Sequence, residues 1–319
     1  MSIVVVGSVA LDTVKTPKGV KRGVLGGSAV YASLALSAFT KPKLVGVVGK
    51  DFPAAYLKLL RQQGVDVEGL EHLEGKTFAW EGEYDENLSK ASTRSTCLNV
   101  FGDFAPKIPA SYIREKNLFL GNIDPDLQKK VLEQMKGPQL VATDTIDLWI
   151  THKAKSLKEL LSQIDIFFIN NEEAYKLADE KKVIAACRRI AAWGPRLVVV
   201  KSGEHGAVAY DGEAKKYYMA PAYPDCEVVD PTGAGDSFAG GFLGSITQED
   251  DPYDPDAIKK ALFMGNVLAS YTISRFSVEA LVGLKQEDLE RRWRMLIGMT
   301  QLARVAKASA PTDKSAILV

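Results

Sequence analysis

The chain is 319 residues long, 46% of them apolar, and it carries 40 basic and 40 acidic side chains. That length can bury one large core or two modest ones, and the balanced charge leaves no field to hold a nucleic-acid backbone. Three widely separated cysteines, Cys97, Cys187 and Cys226, form no Cys-x-x-Cys pair, which argues against a disulfide scaffold or a zinc cluster and for a reducing, cytoplasmic setting.

The opening MSIVVVGSVALD has no basic leader; its apolar run breaks at Gly7 and ends at Asp12, too short for a signal peptide or a membrane span. It predicts a buried strand over 3–6, with Asp12 at the end of the strand. Further apolar runs predict strands over 44–48, 118–120, 140–143, 166–169 and 197–201, continuous rather than alternating because helices cover both faces. Between them the pattern predicts helices over 28–39, 53–63, 126–136, 153–162 and 183–193, the last stopped by Gly194 and Pro195. Strand and helix by turns mean an α/β domain around a mainly parallel sheet. Residues 306–319, polar and then briefly apolar, are expected to be a loose tail.

One stretch breaks the alternation. Between residues 76 and 101, Phe78, Trp80 and Tyr84 alternate with Ala79, Glu81 and Glu83, and DENLSK supplies a turn before a second extended run. This is the period of a small sheet with two unlike faces, inserted into the α/β domain. Its aromatic face has to cover a ligand, another subunit or the domain itself. A hairpin packed on its own core is the alternative.

Near the carboxyl end lies VVDPTGAGDSFAGGF, residues 228–242. Residues 227–230 read as the end of an extended segment, Pro231 stiffens the turn, and Phe238 and Phe242 at i and i+4 place a helix start near Gly235. The N–H groups of Gly233, Ala234 and Gly235 then lie at a helix N-terminus without intrahelical acceptors, where a phosphate can approach them. Asp236 would repel that phosphate, so anion binding is not its task. As a base it can take the proton of a substrate hydroxyl while the neighbouring amides hold the charge on the transferred group. The alternative is an acidic residue that complements the helix dipole.

DPTGAGDSFAGGF resembles the C-terminal signature of the ribokinase-like, or PfkB-type, carbohydrate kinases. GGSAVYASLALSAF, residues 26–39, resembles their N-terminal glycine signature. The likeness runs from Val4 to about Leu281 with the motifs in family order. It implies an ATP-dependent kinase domain over residues 1–305, an open mainly parallel sheet with a β-sheet lid at about 76–101, often shared across a homodimer. By resemblance Asp236 is the general base, the amides of Gly233, Ala234 and Gly235 form the anion hole, and Asp12, Gly26, Gly27 and Tyr31 meet the acceptor, with Asp12 gripping a vicinal diol. NNEEA implies that Asn170 and Glu173 orient Mg2+ through water. KSGEHG nominates Lys201, Gly203 and Gly206 for the nucleotide, and Asn266 lies on the helix beside the adenine. A potassium loop is implied at Asp230, Thr232, Thr272, Arg275 and Ser277, where Ser277 replaces the usual Gly. Ribose-specific members carry Lys and Asn where this chain has Ser28 and Tyr31. The implied reaction is transfer of the γ-phosphoryl group to a hydroxyl of a small sugar-like acceptor, with a nucleoside or cyclic polyol as the alternative and a catalytically silent relative as a further one. A dinucleotide-dependent oxidoreductase is disfavoured, because GSVALD supplies no Gly-x-Gly-x-x-Gly after the first strand.

Overall fold

A computed structural model describes residues 2–88 and 91–300; the expected tail at 306–319 lies outside them. Nine strands form the main sheet: β1 (Ser2–Val6), β4 (Lys41–Gly49), β5 (Asp66–Leu73), β8 (Asn117–Leu120), β9 (Leu140–Asp144), β10 (Ile166–Asn170), β11 (Leu197–Lys201), β12 (Ala207–Asp211) and β13 (Lys216–Ala220), in the order β13-β12-β11-β10-β9-β8-β1-β4-β5. Every neighbouring pair from β5 to β11 is parallel. The last two strands are antiparallel additions at one edge.

In β1, Ile3 and Val5 enter one core and Val4 and Val6 another, so both faces are apolar and the strand reads as an unbroken run. On the first face pack α1 (Ser28–Leu36), α2 (Ala54–Gln62), α8 (Ala234–Ile246), α9 (Pro255–Thr272) and α10 (Gln286–Thr300). On the second lie α3 (Pro125–Gln134), α4 (Asp147–His152), α5 (Ala154–Leu161), α6 (Asn171–Ala178) and α7 (Val183–Ala191).

The small sheet stands off this body with four strands rather than two. Its order is β3 (Gly19–Gly26), β2 (Ala10–Thr16), β6 (Ala79–Tyr84), β7 (Ala91–Cys97). The expected second run thus stops at Cys97, and Asn99–Asp103 is a short 3-10 turn. Asp12 does not end the first strand; it sits within β2, opposite Val24, on the face that also buries Ala10, Val14 and Thr16. The β2–β3 hairpin turns at Pro17 and Lys18, with the Lys18 N–H held by Thr16 Oγ1 at 3.1 Å. Residues 227–230 are loop rather than extended strand.

Candidate active site

In an open parallel sheet, ligands bind outside the carboxyl ends of the strands where the strand order reverses. Here that point lies at the ends of β1 and β8, because β4 and β5 follow β1 on one side and β8 to β11 on the other. Its floor is built by α1 docking on the end of β1: Ser28 N donates to Ser8 Oγ at 3.0 Å, and Ser8 N to Ser28 Oγ at 3.2 Å. The lid sheet begins three residues after β1, so Asp12 hangs over the same crevice.

The candidate base and anion hole start α8. Gly233 caps the helix at φ 77°, and its Hα side faces the Tyr31 ring so closely that a Cβ there would lie 2.3 Å from the ring. Residues 231–236 are all partly exposed, whereas Ser237 to Ile246 are buried. Among the described residues no backbone carbonyl accepts from the N–H of Gly233 or Gly235. The Ala234 N–H differs from expectation: it turns back onto the Pro231 carbonyl at 3.2 Å. Burial, and then the nearby Asp144, push the Asp236 carboxyl up to about 7, with Lys201 opposing. We expect Gly233→Ala to be disruptive, through both the left-handed φ and the Tyr31 clash. Gly235→Ala meets only the end of the Lys201 side chain, at 3.1 Å, and should keep the wild-type melting temperature within a few degrees, about 1 kcal/mol or less. Thermal melts of the two variants check the contrast.

Asp12 is 4% exposed and its Oδ1 has no hydrogen-bond partner among the described residues, while Oδ2 lies where a Gly26 side chain would be. Burial first, and then the Asp230 charge, push its carboxyl up to about 7, against the Trp80 N–H that favours the anion. Gly27, at φ 99°, lets the chain pass over the Ser8 carbonyl into α1. Tyr31 is 2% exposed beneath Gly233, so its ring supports the turn and offers no free face for stacking. From the lid, Tyr84 OH meets Thr232 Oγ1 at 3.2 Å, and the Trp80 ring folds over Gly82. Tyr84 thus reaches from β6 to the turn that opens α8, while Trp80 packs on its own hairpin, its Nε1 donating to Thr93 Oγ1 at 3.2 Å.

Asp230 is buried with both oxygens occupied: Oδ1 accepts from Thr232 N at 2.9 Å and Oδ2 from Ser277 N at 3.0 Å. Ser277 takes the left-handed conformation, φ 56°, in which Gly would be the less strained residue. Its hydroxyl donates to the Leu25 carbonyl at 2.5 Å, tying this loop to the lid root. Thr272 Oγ1 donates back to the Leu268 carbonyl, and Arg275 is exposed. Each Asp230 oxygen accepts one N–H and keeps a further lone pair, so a cation in this loop could be met by the carboxylate as well as by backbone carbonyls.

On the nucleotide side, Asn170 and Glu173 form a capping box at the start of α6: Asn170 Oδ1 accepts from Glu173 N at 2.8 Å, and Glu173 Oε2 from Asn170 N at 3.1 Å. Glu173 Oε1 stays outside the cap, and burial pushes the carboxyl up to about 7. The pair fits a metal held through water better than direct ligation. Gly206, φ 82°, lets the turn after β11 pass the Ala220 carbonyl, while Gly203 faces open space. Asn266 Nδ2 donates to the carbonyls of Ala220 and Pro221, so it holds the loop after β13 rather than pointing a free amide at a ligand. Lys201 Nζ forms a 2.5 Å ion pair with Asp144, a residue that sequence reasoning passed over. Its only signal was a carboxylate at the carboxyl end of a parallel strand.

A family model described as "pfkB family carbohydrate kinase" matches residues 2–282. A cytidine kinase of Thermococcus kodakarensis is 34% identical over 256 residues, which is 78% of this chain and 89% of that protein. Among solved structures, a Burkholderia thailandensis nucleoside kinase in complex with inosine matches with a TM-score of 0.77 at 17% identity, covering 93% of this chain and 99% of that one. A Vibrio cholerae fructokinase double mutant bound to fructose, ADP and potassium ion matches at 0.75 and 18%, covering 92% and 98%. At such identities the two structures speak for the fold alone.

Proposed function

The chain belongs to the pfkB family of carbohydrate kinases and is an ATP-dependent kinase of an alcohol hydroxyl, and from that premise we propose that its acceptor is a nucleoside of the cytidine type. The observation that carries the acceptor class is the 34% identity to a cytidine kinase across 89% of that protein. The site agrees with it. Asp12 presents an unpartnered carboxylate oxygen, suited to the paired hydroxyls of a ribose. Trp80 and Tyr84, on the lid face above it, provide flat apolar cover for a base.

In this reading Asp12 fixes the ribose, and Asp236 takes the proton of the attacking hydroxyl as its oxygen bonds to the γ-phosphorus. The bond from that phosphorus to the β–γ bridging oxygen breaks, and its electron pair leaves with ADP. The N–H groups of Gly233 and Gly235, with less from Ala234, face the charge on the moving phosphoryl oxygens. Mg2+, when bound, neutralises charge on the β- and γ-phosphates; Asn170 and Glu173 would hold it through water. Lys201, Gly203 and Gly206 border the nucleotide, and Asn266 shapes its far wall. Asp230 with Thr232, Thr272, Arg275 and Ser277 would hold a potassium ion behind the anion hole. The lid closes over the pair and excludes water.

The same proposal takes residues 1–305 as one kinase domain and pairs two lids as a homodimer across the exposed β7 edge. Among the described residues no helix is long and apolar enough to cross a membrane. The test is ADP release at fixed Mg2+-ATP with cytidine, uridine, adenosine, ribose and fructose, with and without potassium. Cytidine is expected to exceed the free sugars in kcat/KM by about 10²-fold or more, since losing the base removes several kcal/mol of binding. A preference for ribose or fructose would overturn the nucleoside assignment.

A further inference from the structure

β9 ends in Asp144, which the reaction as written does not use. Its carboxylate is 5% exposed and lies 2.5 Å from the Lys201 ammonium, itself 16% exposed. The anion is fixed from behind. Oδ1 accepts the Thr145 N–H at 2.8 Å, which leaves Oδ2 for Lys201. Gln128 Nε2 donates to the Gly121 carbonyl at 2.8 Å and to Thr143 Oγ1 at 3.0 Å, and lies 3.3 Å from the carbonyls of Leu120 and Asp144. Gln128, buried on α3, thus ties the end of β8 to the end of β9. A buried ion pair is weak evidence for stability, because apolar replacement of both partners costs little. What this network does fix is the position of the cation. Lys201 Nζ stands 3.1 Å from where a Cβ would sit on Gly235.

We infer that Asp144 is a positioning residue for phosphoryl transfer, holding the Lys201 ammonium against the Gly233–Gly235 turn where the transferred group is received. The inference rests on the phosphoryl-transfer reading of that turn. A lysine stem is flexible, and an unpaired buried ammonium either swings to water or gives up its proton. Paired with a rigid carboxylate it stays charged and in place, adding a fixed positive charge where the γ-phosphoryl oxygens spread theirs. Asp144 touches no substrate and acts through Lys201.

A double-mutant cycle of Asp144→Asn and Lys201→Met tests this, read as kcat and as KM for Mg2+-ATP and for cytidine, with a thermal melt of each variant. Lys201→Met is expected to lower kcat about 10²-fold, and Asp144→Asn about tenfold or more. The double variant should fall within about twofold of Lys201→Met alone, because the two residues act as one unit. Cytidine KM should stay within about twofold throughout, and Asp144→Glu should recover most of the lost kcat. Additive losses would overturn the inference, as would a wild-type kcat in Asp144→Asn or a loss confined to cytidine KM. Should Asp144→Asn fail to fold, Asp144→Leu with Lys201→Met removes both charges and is compared with Lys201→Met, where a further kcat loss beyond about tenfold overturns it. Should cytidine prove not to be a substrate, the cycle is read on the Kd of a Mg2+-bound non-hydrolysable ATP analogue, with the same non-additivity expected. The underlying reading fails separately: Asp236→Asn with full turnover would remove it whatever the cycle gives.

Discussion

Asp236→Asn is expected to lower kcat by a factor of about 10²–10⁴, the usual weight of a general base, while the protein still folds and binds Mg2+-ATP and acceptor. The amide keeps the shape of the carboxylate and loses only its capacity to take a proton. Wild-type kcat/KM should rise with pH through about 7, because burial and Asp144 push the Asp236 carboxyl up to that value and the protonated form cannot act as base. The variant should lack this limb. Stability moves the opposite way. A carboxyl whose folded pKa lies above its unfolded value stabilises the fold fully at low pH, and that contribution is lost as pH rises through the folded pKa. Wild type should therefore lose melting temperature between about pH 4 and 7 in part through Asp236, whereas Asp236→Asn should lose less, so the variant gains on wild type at pH 8 relative to pH 5. A variant with near wild-type turnover would remove Asp236 as the base.

Much of this site could be read before any coordinates because its parts carry local signatures. The parallel strands are buried on both faces, so each appears as a short apolar run. The α8 start appears as a run of small residues ahead of Phe238 and Phe242, and the structure begins the helix at Ala234. Other parts depend on partners distant in sequence. Asp12 looked like a strand end because the β2–β3 hairpin mixes Leu11 and Thr13 with buried Ala10 and Val14, which blurs the period of two. The weight of Asp144 comes from Lys201, 57 residues away, and no local pattern holds both. Asn170 and Glu173 satisfied two descriptions at once, since a capping box and a water-mediated metal site use the same spacing. Tyr31 shows the limit of reading chemistry from a motif position: the resemblance sets it against the acceptor, whereas its buried ring lies under Gly233.

Removing the acceptor clamp should be as damaging as removing the base, but on a different parameter. If Asp12 holds the acceptor as proposed, Asp12→Ala deletes two charge-assisted hydrogen bonds to its hydroxyls, each about 1.5–3 kcal/mol, so kcat/KM for the acceptor should fall about 10²–10⁴-fold. Nucleotide affinity should hold within about twofold, because the lost bonds belong to the acceptor. Asp12→Asn keeps one good acceptor oxygen and should lie between. Gly26→Ala reaches the same end by steric means: its Cβ would lie 1.9 Å from Asp12 Oδ2, so the carboxylate must leave the position it shares with β3. If displacement of Asp12 is the whole effect, Asp12→Ala combined with Gly26→Ala should be no worse than Asp12→Ala alone, since no carboxylate is left to displace. Steady-state kinetics in the acceptor, calorimetry with ADP and thermal melts of all four variants separate these cases. An Asp12→Ala enzyme that lost nucleotide affinity and kept its acceptor KM would place Asp12 on the wrong substrate.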